Sequence, residues 1–235
     1  MLSEEFKKAV LTMFTPQQDG EDRVEKAKRF FSETTDVDKT LSLMPDYKTR
    51  ECMVLKALKR YSFTEEGSVK AFLNLPYSAR LFYFHSYGSF VWNRAVSLRI
   101  QKFGFDVQPG DLISDNGEIR TLKESEISHF TFRDILFPLP GTLVQYPENE
   151  TKSIYEEILQ EDGIQPKDFH ARKLNINHIP GSYRNALSYP TELKHSLETT
   201  GDEGIINLQL DFILPSSTYA TVLIREVFHS DVVMK

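Results

Sequence analysis

Arg225 stands between Leu223/Ile224 and Val227/Phe228, in a stretch (215–226) that reads PSSTYATVLIRE. A guanidinium carries five fixed donors and a charge that ordinary pH cannot remove, so it suits the pairing of a carboxylate or a phosphate. On a helix beginning near Ser217, Thr218, Thr221, Arg225 and His229 would form one polar stripe, beside a buried face of Tyr219, Leu223 and Val227. Two readings fit: a solvated helix face, or an arginine aimed at an anion in a cleft. A second group is Gly181-Ser182-Tyr183-Arg184. Glycine permits a tight turn, and the tyrosine and arginine after it have the means to stack on a base and pair with a phosphate. A packed tyrosine beside a surface arginine is the plainer account. A third group is His85, Tyr87, Asn93 and Arg94, which also fits a helix with aromatic core contacts and polar ends.

Other chemistries are disfavoured. No pair of the six histidines (His85, His129, His170, His178, His195 and His229) has the i, i+3 or i+4 spacing of metal ligands, and no HExxH occurs. The phosphate-cradling patterns GxGxxG and GxxxxGK[ST] are absent, as is the GxSxG elbow of hydrolases. Cys52 is the only cysteine, so no intramolecular disulfide can form, which suits a reducing, intracellular compartment. Helical spacing around Cys52 predicts a structural thiol at a helix–helix contact.

The elements that would position these residues follow from periodicity. The first 75 residues read as helical hairpins. Ser3 is a candidate N-cap, with acids in the first turn behind it. Val24, Ala27, Phe30 and Phe31 share a second helix face, and Val54, Leu58 and Tyr61 a third. Residues 78–102 predict the longest helix, with Leu81, Phe84, Gly88, Val91, Ala95 and Leu98 in one stripe and His85, Ser89 and Asn93 in another. Its aromatic content predicts that it crosses a core, and Gly88 at mid-helix predicts close approach of another backbone. Pro109-Gly110-Asp111 marks a turn, DNGE (115–118) a hairpin, and KESEI (123–127) a short helix. DILFPLPGTLVQYP reads as an edge or irregular strand because of its prolines. Residues 149–163 read as a capped helix with Gly163 at C′. Ile206, Leu208, Leu210, Phe212 and Leu214 alternate with polar residues, predicting a half-buried antiparallel strand.

The chain has 235 residues, ordinary hydrophobic content and a net charge of −6, which argues against purely electrostatic binding of nucleic acid. The charge is uneven. Residues 76–110 hold Arg80, Arg94, Arg99 and Lys102 against Asp106, whereas 111–161 are strongly acidic. A polyanion should then prefer surfaces near 76–110. No apolar run reaches the length of a membrane span.

Three blocks carry a resemblance: LPYSARLFYFHSYGSFVWNRAVSLRI (75–100), FPLPG (137–141) with GSYRNAL (181–187), and LQLDFILPSSTYATVLIREV (208–227). Together they resemble the TruD-type pseudouridine synthases, specifically the eukaryotic branch. That family shows a helix with His-x-Tyr-x-Ser-x-x-x-Asn, a Pro-Gly-Asp turn, an L-P-G, a Gly-x-x-Arg and a closing F-x-L-P-x-S-x-Y-A-T-x-x-x-R-E. All occur here in order, over about residues 70–230. Gly88 departs from the pattern, since the family often has glutamine there.

The resemblance implies an enzyme that converts uridine in RNA (transfer or messenger RNA) to pseudouridine, with no cofactor and no metal. The uridine is flipped into a cleft. An aspartate attacks the nucleotide, the glycosidic bond breaks, and the base rotates and rejoins through carbon. Arg225 would sit beside that aspartate and keep it ionised. Arg184, Tyr183, Tyr219, Thr221, His85 and Asn93 would bind substrate. The implied compartment is intracellular, the nucleus foremost, with cytoplasm or mitochondrion open.

The family's Gly-x-K-D-like segment with the catalytic aspartate, and its Asn-x-x-Gly-x-Q-R-F-G-like segment, do not occur here. DYKTRE and AKRFFSE are no substitutes. The expectation is therefore a C-terminal portion or short isoform of a longer enzyme, with no nucleophile assigned and no activity alone. The rival is a non-catalytic RNA-binding or interaction module. The implied fold class is α+β, the C-terminal part of a catalytic domain with an inserted TRUD-type α/β domain. Its implied divisions are a helical segment at 1–74 joining the catalytic domain, the inserted domain at 75–180, and a return to the catalytic domain, as strand plus helix, at 181–235.

Overall fold

The computed structural model describes residues 1–18, 20–200, 205–216 and 218–228. The fold is α+β. It opens on five helices: α1 (Phe6–Met13), α2 (Asp22–Thr34), α3 (Val37–Leu43), α4 (Thr49–Tyr61) and α5 (Glu65–Leu73). The long α6 (Tyr77–Phe103) follows. Then come the hairpin of β1 (Leu112–Asp115) and β2 (Glu118–Thr121), β3 (Ile135–Leu139), α7 (Glu150–Glu161) and β4 (Ser182–Asn185). The chain continues into β5 (Thr191–Thr200), β6 (Ile205–Ile213) and α8 (Ala220–Phe228). The four short strands form an antiparallel sheet in the order β2-β1-β3-β4, and β5 and β6 form a separate two-stranded ribbon.

Local signals account for many boundaries. Asp36 accepts from Lys39 N at 2.9 Å, Thr64 from Gly67 N at 3.0 Å and Asn149 from Thr151 N at 3.0 Å, so α3, α5 and α7 each begin on a side-chain cap. Gly163 follows α7 with φ +66°, the left-handed C′ position expected of it. Asn116 and Gly117 at φ +51° and +87° make the tight β1–β2 turn. The short helix expected at 123–127 forms as a 3-10 helix at Glu124–His129.

The start of α1 differs from expectation. Ser3 does not cap it, and no acid lies in its first turn; the helix begins at Phe6 after Glu5. The Glu65 carboxylate of α5 instead accepts from Phe6 N and, at 3.1 Å, from Lys7 N. A carboxylate brought from another helix supplies charge and acceptors together, which a hydroxyl three residues upstream cannot match.

Two hydrophobic clusters organise the chain. The larger joins α1 to α7 with the loop through Phe169, Leu174 and Ile179, so residues 1–74 and much of 75–180 bury a common core. The smaller lies on the sheet and comprises Trp92, Val96, Ile113, Leu122, Phe132, Ile135 and Phe137. Helix α6 serves both: Phe84, Val91 and Ala95 face the first, Trp92 and Val96 the second. Adjacent residues on a helix point about 100° apart, so the pairs 91/92 and 95/96 bury two sides of it. This explains the aromatic content.

At Gly88 the close approach is real but loose. A Cβ there would lie 3.9 Å from Pro140 O, ordinary contact. Gly88→Ala is therefore expected to raise stability by up to about 1 kcal/mol, because mid-helix glycine costs about that much and no strain opposes the methyl. A urea titration of the two proteins reads the difference.

Cys52 is buried in α4 with its Sγ on Pro45 O at 3.5 Å. Burial pushes its thiol up, and Asp46 adds to the shift. It should react with a maleimide only as fast as the helices around it open, and a rapid reaction with the folded chain would contradict this.

One strand expectation needs correction. In place of the expected edge or irregular strand, β3 is internal, since β1 and β4 flank it. Pro138 is tolerated because β1 pairs only with Ile135 and Leu136, leaving that side of β3 unpaired at the proline. Strand β6 keeps its alternation and pairs antiparallel with β5 as expected, with Leu208, Leu210, Phe212 and Leu214 half-buried; only Ile206 on that side is exposed. The ribbon has two strands, and none of Ile206, Leu208, Leu210, Phe212 and Leu214 on its apolar face is fully buried.

Candidate functional site

The family-like blocks converge on the β3–β4 pair. Phe137 pairs with Arg184 and Pro138 with Tyr183. Side chains alternate along a strand, so Tyr183 and Arg184 leave on opposite faces. The Arg184 guanidinium lies over the Trp92 ring, 5.2 Å from its centroid, and the Trp92 indole donates to Phe137 O at 3.2 Å. Tyr183 OH accepts from Gln145 N at 2.5 Å. At the end of the pair the two motif glycines touch. A Cβ on Gly141 would fall 2.2 Å from Gly181 N, and one on Gly181 would fall 2.6 Å from Leu139 O. Gly181 also has φ +81°. The backbones of FPLPG and GSYRNAL can cross this closely only where neither carries a side chain.

Beyond β4 opens a cleft of about 550 Å³. One side is Tyr183, Arg184 and Asn185, continuing to Tyr189; another is the turn Thr131–Asp134; the third is Pro215, Ser216 and Thr218 between β6 and α8. Its size is in the range of sites that hold a small ligand. Asn185 fastens the first two walls, donating to Arg133 O at 2.8 Å and Ile135 O at 3.3 Å. Asp134 is the acid among its described lining residues, and its carboxylate accepts from Thr131 N and Thr131 Oγ1, each at 2.8 Å. It is a local cap, not a poised nucleophile.

Tyr183 and Arg184 thus line the cleft. Tyr219, Thr221 and Arg225 do not; Thr221 and Arg225 lie exposed on α8 and Tyr219 lies exposed just before it, next to the connector that does. Helix α8 begins at Ala220, later than the spacing predicted, and has no buried residue. Tyr219 and Val227 are exposed and Leu223 half-buried, against the expected buried face, because no element among the described residues packs closely on them. Ser217 and His229 lie outside the described residues. His85 and Asn93 are exposed on α6 and away from the cleft lining. Sequence reasoning passed over Arg133 and Tyr189. Their signal, an arginine and a tyrosine 56 positions apart, has no meaning until β3 and β4 pair.

The basic surface expected around 76–110 does not form. Arg99 is fully buried on Asp111, and Arg80 is buried with Nη1 on Leu73 O at 3.0 Å. Arg94 pairs with Glu161 at 2.5 Å and Lys102 with Glu150. Arg94 and Lys102 are matched by acids of α7 and Arg99 by Asp111, pairings that a count along the chain cannot see. Among the described residues no cluster of three or more His, Cys, Asp or Glu side chains could hold a metal ion, and no helix is long and apolar enough to cross a membrane.

The family described as "TruD: tRNA pseudouridine synthase D (TruD)" matches residues 1–227. The human protein "Pseudouridylate synthase PUS7L" is 38% identical over 255 residues, covering 99% of this chain and 36% of that protein. The human "Pseudouridylate synthase 7 homolog" is 30% identical over 89% of this chain and 35% of its own length. The "tRNA pseudouridine synthase D" of Aquifex aeolicus (strain VF5) is 30% identical over 84% of this chain and 48% of its own. This chain therefore spans between a third and a half of these relatives. A solved structure from Methanosarcina mazei, described as the "Putative tRNA pseudouridine synthase D (TruD)", superposes with a TM-score of 0.80 at 20% identity, over 98% of this chain and 56% of that one. The last likeness shows the fold. With the matched family and the crossing of its glycine blocks at one cleft, the chain belongs to the TruD family of pseudouridine synthases.

Proposed function

We propose that this chain forms the RNA-binding wall of an RNA pseudouridine synthase. The observation that carries the reading is the crossing of Gly141 and Gly181, which sets Tyr183 and Arg184 at the mouth of the cleft. RNA reaches such a site as single strand, with bases free to stack on aromatic and guanidinium planes. In this reading residues 1–74 and 75–180 form the packed wall, and 181–235 belong to the catalytic domain. The exposed apolar faces of β6 and α8 would pack there. The reacting aspartate is not one of this chain's residues, and Arg225 would lie beside it, keeping the carboxylate anionic. Tyr219, Thr221, His85 and Asn93 would meet the flipped uridine or its neighbours. The setting is intracellular and reducing, with the nucleus as the proposed compartment.

The test has two arms. The purified chain should bind a fluorescent oligouridylate with an affinity that falls as salt rises. It should form no pseudouridine from uridine-containing RNA above a heat-killed control. Loss of the first result sinks the RNA-binding reading. Pseudouridine formation would overturn the assignment of the nucleophile to residues elsewhere.

A further inference from the structure

We propose that Arg133 and Tyr189 form a second RNA subsite in the cleft, one that grips a nucleotide beside the one met by Tyr183 and Arg184. The proposal rests on the reading of the cleft as an RNA wall. Arg133 lies with its guanidinium 4.1 Å from the Tyr189 ring centroid, closer than the other cation–π contacts of the described residues. Both side chains are exposed, and both line the cleft.

The charge state of the surroundings makes this pair distinctive. Arg94, Arg99, Lys102 and Arg120 are each bound to a carboxylate. Arg133 and Arg184 make no ion pair among the described residues. The nearest acid in the sequence, Asp134, spends its carboxylate on Thr131. The cleft thus has two guanidiniums without carboxylate partners, each lying over an aromatic ring: Arg133 over Tyr189 and Arg184 over Trp92. A guanidinium stacked by its face keeps its in-plane donors for a phosphate. An exposed tyrosine offers a π-surface to any base, and the arginine adds a cation–π contribution. The ligand chemistry is therefore one phosphodiester plus one unpaired base.

The scaffold holds the pair in place without using it. Asn185 ties the Arg133 main chain to β4 through its carbonyl, leaving the guanidinium uncommitted to the fold. Substitution of either side chain should therefore spare folding.

The experiment uses the 235-residue chain and a fluorescent oligouridylate, with anisotropy read across a salt series. Tyr189→Ala should weaken binding about tenfold to a hundredfold, whereas Tyr189→Phe should bind as the parent does. Arg133→Ala should flatten the slope of log affinity against log salt by about 0.7, the value for one phosphate contact to a single strand. Arg133→Lys should keep that slope. Matching circular dichroism and thermal melts confirm that each variant is folded. If the parent binds and Tyr189→Ala and Arg133→Ala bind as it does, the subsite is wrong while the RNA wall stands. If the parent itself does not bind, the reading of the cleft falls and the subsite with it.

Discussion

Asp111→Ala is expected to destabilise the chain by about 3–5 kcal/mol, a large part of the stability of an ordinary domain. Asp111 and Arg99 are both essentially buried, with Arg99 Nη2 3.2 Å from Asp111 Oδ2. The same carboxylate accepts from Gln108 N at 2.9 Å and from Asn149 Nδ2 at 2.8 Å. Asn149 caps α7, and Gly110, beside Asp111, donates its N–H to Leu122 O and accepts from Glu148 N. One side chain therefore locks α6, the start of β1 and the start of α7. Its removal leaves a guanidinium in the core with carbonyls and the rings of Phe103 and Phe132 for company, but no counter-charge. That uncompensated charge is the source of the loss. The measurement is urea unfolding of the single variants and of Arg99→Met with Asp111→Ala. The double variant should lose less than the sum of the singles, because removing both charges leaves none unpaired. A loss under about 1 kcal/mol for Asp111→Ala would refute the account.

The second large effect is at Gly181. Gly181→Ala is expected to cost about 2–6 kcal/mol. Holding a non-glycine residue at φ +81° contributes about 1–3 of this. Overpacking against Leu139 O, which as backbone in β3 cannot step aside, adds about as much again. Gly141→Ala should also destabilise, by overpacking alone, since the three nearest atoms its methyl would meet are backbone. Thermal melts read the stability, and oligouridylate binding by the surviving folded fraction reads the site. Here stability and binding should fall together, because the crossing that admits the glycines also aims Tyr183 and Arg184. A Gly181→Ala chain with unchanged melting would show that the crossing is not strained as described.

The residues legible from sequence were those whose meaning is local or whose pattern is shared with a family. The spacing of Val24, Ala27 and Phe31 marked α2, Asn149 and Gly163 bracketed α7, and Asn116-Gly117 closed the hairpin. The helices α3 and α5 were not singled out, being only 7 and 9 residues long, too short for periodicity to speak clearly. Ser3 misled because its competitor for the start of α1, Glu65, comes from another helix. A proline misled at β3 because an edge was inferred for the whole strand when only its end is unpaired.

By itself, the sequence determined the helical periods, the caps, the tight turns and the family blocks, since each of these rests on residues within a few positions or on fixed spacing. It also determined that the family's aspartate motif is absent from these residues. Only the tertiary structure decided which charges are free. It neutralised the basic segment at 76–110 through α7 and Asp111, and left Arg133 and Arg184 without carboxylate partners among the described residues. The reason is physical: an ion pair depends on separation in space, and Coulomb attraction takes no account of distance along the chain.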